Sequence, residues 1–137
     1  MSRRLAREAV LKALFAVDIG KIPLDRILAE VLADYSLAAQ HETFARDLAA
    51  GALQHRDESD EMIAAMAVDW TIDRMAAVDR NILRIALYEI FHRPDIPDSV
   101  AVNEAEELAK KFGEAESGKF INGILGEIVR RRAGAGQ

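Results

Sequence analysis

The chain has 137 residues, half of them apolar, no cysteine and a formal net charge of −5. That composition marks a globular chain and excludes disulfides, thiolate metal sites and cysteine nucleophiles. No apolar run approaches the ~20 residues of a membrane span and the N-terminus lacks a signal-peptide core, so the expected setting is cytoplasmic. The charge is unevenly spread: Arg3, Arg4, Arg7 and Lys12 make the start basic, Asp57, Glu58, Asp60 and Glu61 form an acidic patch, and Arg130, Arg131 and Arg132 end the chain.

Helix is predicted throughout. Leu5–Val17 carries Ala6, Ala9, Val10, Ala13, Leu14 and Val17 at i, i+3, i+4 spacing. Arg4 and Arg7 lie one turn apart, and Arg3 is four positions before Arg7, so the three are expected on one exposed edge. Gly20 and Pro23 mark a turn before a second helix, Leu24–Tyr35, which turns Ile27, Leu28, Val31 and Leu32 inward. A third runs from about Ala38 to His55 with Phe44, Leu48 and Ala52 on one face. Gly51 inside it signals close backbone approach to a neighbouring helix. These three helices, about residues 1–56, are expected to form a first lobe, and residues 58–132 a second.

Ser59 is the expected cap of a helix through Ala67, with Met62, Ile63 and Met66 as its stripe. Trp70 and Thr71 precede a short helix, Ile72–Ala76. Val78–Phe91 then reads as the central helix, because its apolar residues cover roughly two thirds of the circumference and only Asn81, Arg84 and Tyr88 form a polar arc. Glu89 falls inside the apolar arc, where a carboxylate needs a partner to offset its desolvation. Pro94 and Pro97 stop this helix. Asp98 or Ser99 caps Val100–Phe112, with Ala101, Ala105, Leu108, Ala109 and Phe112 inward and Glu106–Lys110 and Glu107–Lys111 as outward i, i+4 pairs. Gly113 is expected to end it in left-handed geometry. The last helix starts near Ser117 with Phe120, Ile121, Ile124, Leu125, Ile128 and Val129 inward, and Ala133–Gln137 is expected to fray.

Few residues suggest chemistry. The histidines, His41, His55 and His92, are scattered. Glu89 and His92 form one E-x-x-H unit, which di-iron bundles use twice, so the expectation is no metal and a structural Glu89 tied to backbone or Arg groups. No phosphate-binding loop, dinucleotide fingerprint or nucleophile elbow is present, and neither catalysis nor a cofactor is expected. Lys119-Phe120-Ile121-Asn122-Gly123 is less ordinary. Glycines at 118, 123 and 126 cost about 1 kcal/mol at each interior helical site relative to alanine. They suit either close packing of helices or approach of a ligand, and the residues leave both open. Lys119 opposes the helix dipole unless an anion offsets it. The N-terminal arginines are likewise either solvated surface or phosphate contacts.

Val78-Asp79-Arg80-Asn81-Ile82-Leu83-Arg84-Ile85-Ala86-Leu87-Tyr88-Glu89, Ile96-Pro97, Asn103-Glu104-Ala105 with Glu107-Leu108-Ala109-Lys110, Phe112-Gly113, Ser117 and Lys119-Phe120-Ile121-Asn122-Gly123-Ile124-Leu125 resemble, in order and spacing, the NusB-type antitermination factors. Ala6-Arg7 with Ala9, Leu14-Phe15, and Arg46-Asp47-Leu48 with Gly51 fit the earlier part of that pattern. The resemblance implies one all-α, two-lobed domain of about seven helices over residues 1–137, without catalytic activity. It implies binding of boxA-type single-stranded RNA together with ribosomal protein S-ten (NusE), in a complex with NusA, NusG and RNA polymerase. By position it assigns Arg3, Arg4, Arg7, Arg84, Lys119 and Phe120 to RNA and Asp79 to the protein partner. The basic N-terminal segment is shorter than in many relatives, which makes the heterodimer the expected RNA binder, and some relatives form homodimers. Other readings are the helical RNA-binding part of a 5-methylcytosine rRNA methyltransferase and a purely protein-binding scaffold.

Overall fold

A computed structural model of the chain describes residues 2–67 and 72–135. Seven α-helices and one short 3-10 turn account for nearly all of them, and no strand occurs among the described residues. The all-α expectation holds. Trp70 and Thr71 lie outside the described residues.

Helix α1, Arg3–Gly20, starts where the Ser2 hydroxyl accepts from the Leu5 N–H, and ends at Lys21 in left-handed geometry (φ 56°). Helix α2, Leu24–Tyr35, has the expected bounds and ends at Ser36, also left-handed (φ 50°). Helix α3 is Ala39–Gln54. Buried alanines on α1 (Ala6, Ala9, Ala13) and α3 (Ala45, Ala49, Ala52) keep side chains short where these two helices pack. Helix α4, Arg56–Met66, begins three residues before the expected Ser59 cap. Ser59 is buried inside the helix and its N–H bonds the His55 carbonyl. Asp57 and Glu58 occupy the first turn instead, where the dipole favours acidic groups.

After the 3-10 turn Ile72–Arg74, helix α5 runs Ala77–His92 and is the centre of the molecule. Every residue from Asn81 to Ile90 is buried, and α5 packs against α1, α3, α4, α6 and α7. The expected polar arc is therefore not solvated: Asn81, Arg84 and Tyr88 are buried and partnered. Gly51 of α3 lies against the Tyr88 ring, which a Cβ at that position would overlap. The close approach read from Gly51 is real, and its partner is an aromatic ring whose hydroxyl donates to Asp47 at 3.2 Å.

Helix α6, Asp98–Phe112, and helix α7, Ser117–Ala135, complete the fold and pack on each other and on α5. Gly113 is extended (φ −92°, ψ −170°) and not left-handed. Space explains the glycine, since a Cβ would come within 2.7 Å of the Ser117 side chain and 2.8 Å of the Ala109 carbonyl oxygen. The expected i, i+4 pairs on α6 do not form either. Lys110 bonds Glu107, Lys111 reaches Glu8 of α1 at 3.0 Å, and Glu106 accepts from Asn122 of α7. Lys111 and Glu106 take partners on other helices, while Lys110 takes the glutamate three positions before it. Ala133–Ala135, expected to fray, are the helical end of α7.

Candidate nucleic-acid interface

The six residues assigned to RNA fall into three environments. Arg3 and Arg4, in the first turn of α1, are exposed. The Arg3 guanidinium lies 4.3 Å from the Phe44 ring centroid and 3.8 Å from Asp95. Arg4 forms a two-pronged pair with Glu104 of α6 at 3.1 and 2.7 Å. That contact lowers the Glu104 carboxyl from its ordinary range.

Arg7 departs from the expected exposed edge. Its side chain is 4% exposed and donates to both oxygens of Glu89, which is 1% exposed, at 3.0 and 2.7 Å. Arg7 lies between Arg3 and Arg4 around the helix but one turn further along, where α1 packs on α5 and that edge is covered. Glu89 thereby finds the arginine partner its position required. Arg84 is also buried. It donates to both oxygens of Asp60 at 2.8 Å and approaches Asp18, which in turn accepts from Arg80 and Asn81. Those donors hold the Asp18 carboxyl below its ordinary range against the cost of burial. Neither arginine offers a free guanidinium to a ligand in this conformation.

Lys119 and Phe120 open α7. Lys119 is exposed and makes no ion pair among the described residues. Phe120 is half-buried at the edge of a hollow of about 400 Å³ that also takes in Met75, Asp79, Glu114, Glu116 and Ser117. Asp79, read as a partner contact, thus sits beside an RNA candidate. One of its carboxylate oxygens is buried without a hydrogen-bond partner. Burial pushes this carboxyl up, the Ser117 hydroxyl acts in the opposite direction, and Glu114 adds a like charge.

Gly118 and Gly123 of α7 are not points of close helix packing among the described residues. A Cβ at Gly123 would meet nothing within 4 Å, and one at Gly118 would touch only the Lys110 side chain at 4.0 Å. No neighbouring helix needs that space. Gly118, Lys119 and Asn122 instead line a polar groove between α6 and α7, together with Glu106 and Lys110. Lys110 also borders a second depression holding Arg4, Glu104 and Lys111, so basic groups run from the start of α1 across α6 to the start of α7. The sequence reading missed Lys110 and Lys111 because a Glu four residues before each offered a local partner. It also passed over Phe15 and Ile19, exposed one turn apart on α1.

A rigid helical core whose distinctive groups lie in open surface grooves defines a helical binding domain. Comparison with known proteins makes the class specific. The NusB family profile matches residues 4–130. The chain is 52% identical to the transcription antitermination protein NusB of Symbiobacterium thermophilum, covering 98% of this chain and 94% of that protein. Among solved structures, NusB of T. maritima superposes with a TM-score of 0.88 at 38% identity, covering 95% of this chain and 92% of the other. A chain from the crystal structure of antitermination factors NusB and NusE in complex with dsRNA gives 0.85 at 25% identity, covering 96% and 99%. The chain belongs to the NusB family.

Proposed function

We propose that this chain is a non-enzymatic, cytoplasmic transcription antitermination factor that binds boxA-type RNA together with ribosomal protein S-ten (NusE). In this reading the pair joins NusA, NusG and RNA polymerase to suppress termination. The observation that carries the proposal is near full-length similarity to antitermination proteins, one solved relative being in complex with NusE and RNA. Arginine and lysine supply sequence-independent phosphate contacts, and an aromatic edge supplies a stacking surface for an unpaired base.

Arg3, Arg4 and Lys119 are the phosphate contacts in this proposal, Lys110 joins them across α6, and Phe120 takes a base. Arg7 and Arg84 act indirectly by fixing α1 and α4 on α5. Exposed Phe15 and Ile19, with Asp79, serve the protein partner. Glu104, Glu106, Glu107 and Glu114 interrupt the basic path, which makes binding by this chain alone weak and gives the partner a role in completing the surface.

Fluorescence anisotropy with boxA-type single strands, scrambled strands and a duplex, each with and without NusE, tests the reading. Preference for the boxA single strand that tightens at least ten-fold with NusE is expected. Equal, weak affinity for all three RNAs in the presence of NusE overturns it.

A further inference from the structure

Of the three histidines scattered in the sequence, His55 and His92 meet in space. His55 caps the C-terminus of α3, His92 is the last residue of α5, and their rings stack with centroids 3.7 Å apart and planes 17° from parallel. Glu58, in the first turn of α4, reaches both: its carboxylate lies 3.1 Å from His92 Nε2 and 3.5 Å from His55 Nδ1. One ligand-type atom from each of the three residues lies within 4.8 Å of the other two. We infer that His55, Glu58 and His92 form a site for a divalent transition-metal ion of the zinc class.

Three features of the surroundings support this. Two imidazoles and one carboxylate are a recurrent zinc ligand set, leaving a fourth position for water, and imidazole selects zinc, nickel or cobalt over magnesium and calcium. Two helix C-terminal ends, those of α3 and α5, meet the single N-terminal end of α4 here, so the helix dipoles together do not oppose a cation. The groups are also accessible, with side chains 28%, 47% and 32% exposed for His55, Glu58 and His92, so an ion enters from solvent without opening the core. Tetrahedral zinc, with bonds of about 2.0–2.2 Å, holds its ligand atoms roughly 3.3 Å apart, so the ligands must draw together by an ångström or so. Nearly parallel rings direct their lone pairs along similar directions. Binding therefore turns the imidazoles out of their stack, a motion open to half-exposed side chains.

The backing of the site is built. Tyr88 stacks against both rings at 5.7–5.8 Å and is itself pinned between Gly51 and Asp47. Arg93, which follows His92, is occupied by Asp47 and Asp95, and Arg56, which follows His55, pairs with Asp57. A bound ion would join α4 to α3 and α5 at one point, at a position separate from the α1–α6–α7 groove proposed for RNA.

The test uses the full chain without a histidine tag, titrated with Zn2+ against a chromogenic chelator and with Co2+ followed by visible absorption. One equivalent per chain is expected, with a cobalt spectrum of nitrogen and oxygen ligation and a rise in Tm on adding Zn2+. His55→Gln and His92→Gln should each weaken binding at least ten-fold, while His41→Gln, outside the cluster, leaves it unchanged. Circular dichroism of the metal-free variants confirms that each is folded. Failure of the parent chain to bind one equivalent, or unchanged affinity in a folded His55→Gln, His92→Gln double variant, overturns the site. Neither result bears on RNA binding.

Discussion

Arg7 is held in the core by Glu89 and not on the open surface. Its pair with Glu89 is almost fully withdrawn from water, and removing one partner leaves a buried charge uncompensated. Arg7→Ala should therefore cost about 3–5 kcal/mol in denaturant titration, a large share of the 5–15 kcal/mol that holds a typical domain together. Replacing both residues with apolar ones of similar volume (Arg7→Met with Glu89→Leu) should recover most of that loss. If Arg7→Ala instead leaves the denaturation midpoint unchanged and selectively weakens RNA binding, Arg7 is a direct contact and the burial argument fails. A loss of RNA binding in the destabilised single variant would by itself say nothing about contact. The partnership was half legible in the sequence. Glu89 on an apolar arc demanded a partner, but the residue that supplies it lies 82 positions away, and periodicity placed Arg7 on the edge shared by Arg3 and Arg4. Pairing across the core depends on how α1 crosses α5, and no local pattern encodes that crossing.

The helices themselves were far more readable than their partners. Bounds followed from apolar spacing where a helix packs along one stripe, as in α2, and where the apolar arc is too wide to be solvated, as in α5. They failed where a cap was inferred from residue type alone: Ser59 is a favoured cap, yet the acidic pair Asp57 and Glu58 marked the true first turn of α4. The same limit applied to Gly113, where the sequence showed that a glycine was needed but not that crowding by Ser117, rather than left-handed geometry, was the reason. Helix α7 carries the element-scale prediction. Gly123 is helical, exposed and free of neighbours, so Gly123→Ala removes backbone freedom from the unfolded chain and adds no clash. The substitution should stabilise the protein by about 0.5–1 kcal/mol, visible as a raised Tm. If the bare face serves RNA approach, the same variant should bind boxA-type RNA more weakly in spite of being more stable. A more stable protein with unchanged RNA affinity would remove Gly123 from the interface.

At the scale of the whole molecule the difficulty is charge. A chain of net charge −5 is repelled by RNA at long range, so affinity must come from where its cations stand and not from their number. Exposed cations flanking the α1–α6–α7 surface include Arg3, Arg4, Lys110, Lys111 and Lys119, and of these five all but Lys119 have acidic partners among the described residues. Of these five, Lys119 makes no ion pair with the described residues, so in the proposed interface it would meet a phosphate without first giving one up. In the proposed interface Arg4 would first release Glu104, and the freed carboxylate would then face the RNA, so the exchange returns part of what the new contact provides. Each phosphate neutralised on a single strand releases counterions and contributes about −0.7 to the slope of log affinity against log salt. Lys119→Ala should therefore make that slope shallower by about 0.7 and weaken binding at low salt, with Tm unchanged. Arg4→Ala should produce a smaller change in slope, since Glu104 already neutralises part of its charge. Glu104→Gln, which frees Arg4, should steepen the slope and strengthen binding at low salt. Salt titrations of the four proteins with NusE present decide the matter. Equal slopes throughout would place the RNA elsewhere on the surface, whereas a change confined to Lys119 would shorten the path to the start of α7.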